Sequence, residues 1–187
     1  MPATVVIERW TGPAGAVVKT NISSSNTVAA AVDLHQSNAS TAINPVKIPN
    51  TGSNSSFWVW TTLNVTVAPA ARLNNFRWYT DGTNNLGTGL TCMSGWTQSY
   101  KQSTGTVGTT GLDASLDPTI GLFLTSTGGW ANAFTRTSSS PLSVGGNISV
   151  STTGPIPAFV IIQTMVDNTA SPGISSQENF TWVVDET

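Results

Sequence analysis

The hydrophobic period of this chain is two residues, and it is clearest over Phe57-Trp58-Val59-Trp60-Thr61-Thr62-Leu63-Asn64-Val65-Thr66-Val67. Val59, Leu63, Val65 and Val67 share one face of that segment, and Thr62, Asn64 and Thr66 share the other. Successive side chains of a strand point to opposite faces, so the alternation predicts a strand with one buried and one exposed face. Further β-branched or aromatic runs occur at Thr4–Trp10, Ala16–Ile22, Thr27–Leu34, Leu73–Thr80, Thr119–Leu124, Asn147–Thr153, Ala158–Val166 and Asn179–Val184. The connections between runs contain Asp81-Gly82, Gly87-Thr88-Gly89, Gly128-Gly129, Gly145-Gly146 and Ser171-Pro172-Gly173, residues that supply the φ values turns require. Only Pro69-Ala70-Ala71-Arg72-Leu73 favours a helix, and it is long enough for a single turn. The expected fold class is all-β, an antiparallel β-sandwich of jelly-roll or Ig-like type with an extended N-terminal segment.

A chain of 187 residues suffices for one such domain, and it can bury a core without disulfides or a structural metal. Residues 1–25 read as an N-terminal arm or a pair of edge strands about a Gly12-Pro13-Ala14-Gly15 hinge, and residues 26–187 as a single sandwich domain. The arm either pairs with its own sheet, as sequential strands usually do, or adds to the sheet edge of a neighbouring subunit. Gln102–Gly111, built largely of Thr, Gly and Ser, reads as a long loop or an edge strand. The N-terminus has neither a basic start nor a long apolar stretch, so no signal peptide is expected. The six Asn-x-Ser/Thr triplets therefore carry no expectation of glycosylation.

Chemistry is sparse. The net charge is −2 and the seven basic residues are scattered, which argues against a nucleic-acid partner, because phosphate binding needs clustered Lys and Arg. Arg72 and Arg77 lie close together and read as solvated charges. No stretch approaches the roughly 20 apolar residues of a membrane helix. The single His35 excludes a multi-histidine zinc site, and no motif supplies it with a Ser and an acid for a triad. Asp113 and Asp117 fall in a turn-like segment without the Asp/Asn alternation of a dedicated calcium loop, so no metal and no cofactor are expected. Cys92 has no basic neighbour in sequence to lower its pKa and reads as a small buried hydrophobe. Catalytic residues are expected to be absent, and the protein is not expected to be an enzyme.

Seven tryptophans are the one chemical enrichment. Trp58 and Trp60 share a face of their strand, with Val59 on the other. Trp78 shares a face with Phe76 in the next strand, placed to stack on that pair. Trp10, Trp58, Trp60 and Trp78 are the candidate interface or ligand aromatics, because exposed indoles stack on sugars or anchor protein contacts. The alternative is that Trp58 and Trp60 lie in the core or under a loop. Trp182, flanked by Phe180 and Val184 on one face, reads as a core residue.

The segments Ile7-Glu8-Arg9-Trp10-Thr11-Gly12 and Arg77-Trp78-Tyr79-Thr80-Asp81-Gly82 resemble virion proteins of tailed bacteriophages, of the capsid decoration or cement type. So does the ending from Ala170-Ser171-Pro172-Gly173 through Phe180-Thr181-Trp182 to Asp185-Glu186-Thr187. The resemblance implies a β-sandwich or jelly-roll without catalytic residues, bound to the major capsid protein on the virion surface as a homo-oligomer, with a trimer favoured. It carries over no functional residues. A surface built from 29 Thr and 22 Ser against 16 charged residues suits permanent residence in an assembly. Two other functions fit the same sequence, a carbohydrate-binding module with a tryptophan platform and an extracellular filament subunit joined by donated strands.

Overall fold

The computed structural model describes residues 2–23, 46–102, 130–173 and 175–187. The chain is nearly all β, with two antiparallel sheets packed as a sandwich. In chain order the strands are β1 (Thr4–Thr11), β2 (Val18–Asn21), β3 (Ser53–Ser55), β4 (Val59–Val67), β5 (Leu73–Tyr79), β6 (Leu90–Thr97), β7 (Ala131–Asn132), β8 (Leu142–Val144), β9 (Gly154–Pro155), β10 (Phe159–Asp167) and β11 (Thr181–Glu186). Sheet A runs β2-β1-β4-β10-β6-β7, with β3 also on β10 and β9 also on β4; sheet B runs β11-β5-β8. A single 3₁₀ turn, Ala133–Thr135, is the helical element among the described residues.

The runs with strong period-two patterns became β1, β2, β4, β5, β10 and β11. The N-terminal segment pairs with its own sheet: β1 lies along β4 from Thr4↔Val67 to Trp10↔Trp60, and β2 lies outside β1. Two runs, Thr27–Leu34 and Thr119–Leu124, fall outside the described residues. The run Asn147–Thr153 is not a strand. Ile148 makes an isolated bridge to Leu73, after which the chain turns through Ser151 at φ 61, leaving Val150 exposed. Strand β6 was not expected, because Thr91-Cys92-Met93-Ser94-Gly95 offers small and polar residues where β-branched ones normally mark a strand. It is held in place by pairing with β10 along eight residues, Phe159↔Thr97 to Val166↔Leu90.

The inter-sheet core is filled from both layers. Sheet A contributes Leu63, Val65, Cys92, Val160 and Ile162, and sheet B contributes Leu73, Phe76, Trp78, Leu142 and Val144. Phe180, Trp182 and Val184 close its margin, half-buried. Leu73, Phe76 and Trp78 reach the same core although they are not evenly spaced, because β5 carries one extra residue against β11. Asp185 pairs with Asn74 and Val183 with Arg77, so three steps on β5 match two on β11. Asn75 absorbs the extra residue at φ 51, a left-handed conformation that Asn tolerates better than most residues. Its amide donates to Asp185 Oδ2 at 2.6 Å, while Asp185 Oδ1 pairs with Arg77 at 2.5 Å. Cys92 is fully buried, and burial pushes its thiol up to about 12, with Glu178 adding to the shift, so it is neutral and non-nucleophilic at ordinary pH.

One carboxylate ties the two sheets together at their ends. Glu186 Oε2 accepts from the Ala3 amide at 3.0 Å, and Oε1 accepts from the Ala70 and Ala71 amides at 3.0 and 3.4 Å. Beside it, Arg72 and Thr187 exchange two backbone hydrogen bonds. The Ala3 amide, more than the Ala70 and Ala71 amides, holds the Glu186 carboxyl below the ordinary glutamate range. A carboxyl whose pKa is lowered by folding contributes stability above its unfolded pKa, and loses that contribution as the pH falls through the folded value. Chemical denaturation of Glu186→Gln across the acid range is expected to show a shallower loss of stability with falling pH than the wild type. Superimposable pH profiles would show that this clasp carries no weight.

Candidate functional site

Sheet A buries an apolar cluster on each face, and its outer face, turned away from sheet B, is where unusual side chains gather. What decides that arrangement is a one-residue bulge between β3 and β4. Both strands pair with β10, β3 through Ser55↔Met165 and β4 through Val59↔Ile162. Four steps on one side match three on the other, so one residue is extra. Ser56 fills the gap in the ladder. Its amide donates to Thr164 O at 2.8 Å, its hydroxyl accepts from the Thr164 amide at 3.0 Å and donates to Phe57 O at 2.9 Å, and its carbonyl accepts from Gln163 Nε2 at 2.9 Å.

Past the bulge the faces are reversed relative to β3. Val59, Leu63 and Val65 turn away from the outer face, and Trp58 and Trp60 turn onto it, where they join Phe159 and Ile161 in a second buried cluster. A cross-strand row runs Lys19↔Trp10↔Trp60↔Ile161↔Gly95 through five neighbouring strands. Trp60 meets Tyr100 edge-on at 5.1 Å and Trp58 at 5.9 Å, Trp58 lies 6.0 Å from Trp130, and Trp10 meets Phe159 at 4.8 Å. These are the tilted and edge geometries that aromatic quadrupoles favour.

The candidate aromatics therefore separate. Trp58, Trp60 and Trp78 are 2%, 1% and 0% exposed, so none of the three offers a stacking platform. Trp78 does not stack on the Trp58–Trp60 pair, because the two lie on opposite sides of sheet A's backbone; it packs in the inter-sheet core against Phe180 at 5.4 Å. Trp10 remains half-buried at the rim of the outer cluster, and its polar atom is already used. Its indole N–H donates to Glu8 Oε2 at 3.0 Å, Glu8 Oε1 accepts from Asn64 Nδ2 at 2.5 Å, and Lys19 Nζ sits 4.3 Å over the ring. The Thr62 face of β4 is likewise not exposed. Thr62 is fully buried and donates to Ala158 O at 2.7 Å, whereas the strand's true exposed end is Thr66 and Val67.

At the other end of the same face lies an open trough of about 390 Å³. Ser53, Thr91, Met165 and Asp167 sit on paired strands there, with Gly52, Gly89 and Asn168 completing the rim. Asp167 Oδ1 accepts from the Thr169 hydroxyl at 2.6 Å and its amide at 2.7 Å, which hold the carboxyl below the ordinary aspartate range. Gly89 shapes this wall. Its φ is +74, its carbonyl accepts from the Asp167 amide at 2.9 Å, and a Cβ there would lie 2.5 Å from Ala170 N and 2.7 Å from Asp167 Oδ1. No expectation of a site fell on the trough, although Asp167-Asn168-Thr169 has the composition of an Asx turn. Among the described residues no three His, Cys, Asp or Glu side chains come together as a metal site, and no helix is long and apolar enough to cross a membrane. His35, Asp113 and Asp117 lie outside the described residues.

No protein-family model matches the chain, no curated protein matches it in sequence, and no solved structure matches it. If the Ser56 hydroxyl holds the bulge that orients the tryptophans, Ser56→Ala strands the buried Thr164 amide and lowers the unfolding free energy by about 1–3 kcal/mol. Exposed Ser149→Ala stays within about 0.5 kcal/mol. Urea unfolding of both variants makes the comparison, and equal small losses would remove the bulge from the hydroxyl's account.

Proposed function

We propose that this protein is a non-enzymatic structural protein of a virus particle, a capsid decoration or cement protein that binds and stabilises the lattice of the major capsid protein as a homo-oligomer, with a trimer favoured. The observation that carries the reading is the open edge at two of the four terminal strands, β2 and β11. Among the described residues, β2 pairs only with β1 and β11 pairs only with β5. Strand β11 holds Trp182, Val183 and Val184 half-buried, and Val18 on β2 is 53% exposed. Unpaired backbone donors and acceptors beside apolar side chains are a template for another chain's strand, and native proteins that stay monomeric usually blunt such edges.

The use made of the acidic residues supports the non-catalytic part. Each of the six in the described residues accepts a hydrogen bond from the chain itself: Glu8 from Trp10, Asp81 from Thr83, Asp167 from Thr169, Glu178 from Asn85, Asp185 from Asn75 and Glu186 from Ala3. Their chemistry goes into holding turns and strand ends. The low charge of the chain adds little repulsion to close packing in a lattice.

Co-sedimentation with expanded capsids of the phage whose genome encodes the protein tests the proposal. The wild type is expected to bind saturably and to raise the temperature at which the particles break. Val183→Lys, which places a charge on the β11 edge, is expected to stay folded and to bind about tenfold or more weakly. Particles that neither bind the protein nor gain stability would overturn the function, and undiminished binding by Val183→Lys would overturn the role of that edge.

A further inference from the structure

The trough lies at the end of sheet A's outer face, away from the aromatic cluster, and Asp167 Oδ2 there has no hydrogen-bond partner among the described residues, while Oδ1 holds the Thr169 turn. We infer that it is a binding site for a neutral saccharide, with Asp167 accepting from a pair of sugar hydroxyls and Ser53, Thr91 and Asn168 completing the hydrogen bonding. The volume of about 390 Å³ falls in the range of small-molecule sites, roughly 300–1,000 Å³. One oxygen of Asp167 is fixed by Thr169, which orients the carboxylate in advance and leaves Oδ2 for a ligand. Preorientation of this kind lowers the ordering cost of binding.

The donor and acceptor inventory selects the ligand class. An ionised carboxylate only accepts, so it calls for hydroxyl or ammonium donors. Ser53 and Thr91 hydroxyls each donate and accept, and the Asn168 amide does both as well, which matches a polyol; an ammonium group offers donors alone. None of these three side chains is engaged in a hydrogen bond of the chain among the described residues. Among the described residues no Lys or Arg lines the trough, and Asp167 makes it negative, which disfavours phosphate and sulfate. A hard cation wants several oxygen ligands, commonly more than one carboxylate, and Asp167 is the single carboxylate here among the described residues. Met165 supplies a soft apolar patch against which the C–H face of a sugar ring packs. The inference is independent of the capsid reading, since it concerns a face of sheet A and not its edges.

Two-dimensional amide NMR titration of the full chain decides it, with methyl glycosides of glucose, galactose, mannose and N-acetylglucosamine as probes and calcium chloride and lysine methyl ester as cation probes. At least one glycoside is expected to shift the amides of Ser53, Thr91, Asp167 and Asn168. Asp167→Asn is expected to weaken that binding by about tenfold or more, and Thr91→Val by a smaller factor of about threefold to tenfold. Thr91→Val keeps a β-branched residue in β6, so it reports on the site even if Asp167→Asn does not fold. The inference is overturned if no glycoside shifts these amides, if only the cation probes do, if shifts are confined to Trp10, Tyr100 and Trp130, or if both variants bind as the wild type does.

Discussion

The one extra residue between β3 and β4 is the constraint on which the arrangement of sheet A depends. Side chains alternate along a strand, so a shift of one residue exchanges the faces of everything that follows. Without it, the pairing of Ser55 with Met165 would carry forward, turning Val59 outward and Trp58 and Trp60 into the inter-sheet core. With it, medium-sized aliphatic residues meet Phe76 and Trp78 from sheet B, and the large indoles gather on the other face with Phe159. Ser56 makes this tolerable by replacing the interrupted ladder with its own hydroxyl and backbone, so that the buried amide of Thr164 keeps a partner. The bulge at Asn75 in sheet B has the same logic, since it brings Leu73 onto the face that Phe76 and Trp78 occupy.

A sheet that buries an apolar cluster on each face needs few charged side chains, and the chain has few. Among the described residues the carboxylates act as local connectors, accepting from backbone amides or from side chains of neighbouring strands. Glu186 gathers three such amides, and Glu8 joins Trp10 to Asn64 across β1 and β4. The same economy leaves the surface rich in hydroxyls and amides, which hydrogen-bond other molecules without the desolvation cost of a charge. Open strand edges and a hydroxyl-lined trough are two forms of that surface. We propose different partners for them, an extended backbone for the edges and a polyhydroxy ring for the trough.

Much of the fold was legible because period-two patterning is a local property. Phe57–Val67, Leu73–Thr80 and Ala158–Val166 each announced a strand, and the side-chain parity of Trp58, Val59 and Trp60 was correct. Strand β6 was not legible, because its residues have weak strand preference and are held by neighbours distant in sequence. Asn147–Thr153 failed in the opposite sense, having β-rich composition but turning at Ser151. Which indoles are buried was not legible. Their number was plain, but exposure depends on what packs over them. The trough escaped notice because Ser53, Thr91 and Asp167 come from three segments that only β10 pairing unites.

The amino-acid sequence alone determined that the chain forms antiparallel β structure, where most strands lie and which side chains on a strand share a face, because these follow from backbone geometry and residue spacing within a few positions. Only the tertiary structure decided which face became the core, which tryptophans were buried and which hydroxyls met around Asp167. Those outcomes hang on register between distant strands, and a single inserted residue at Ser56–Trp58 reverses them.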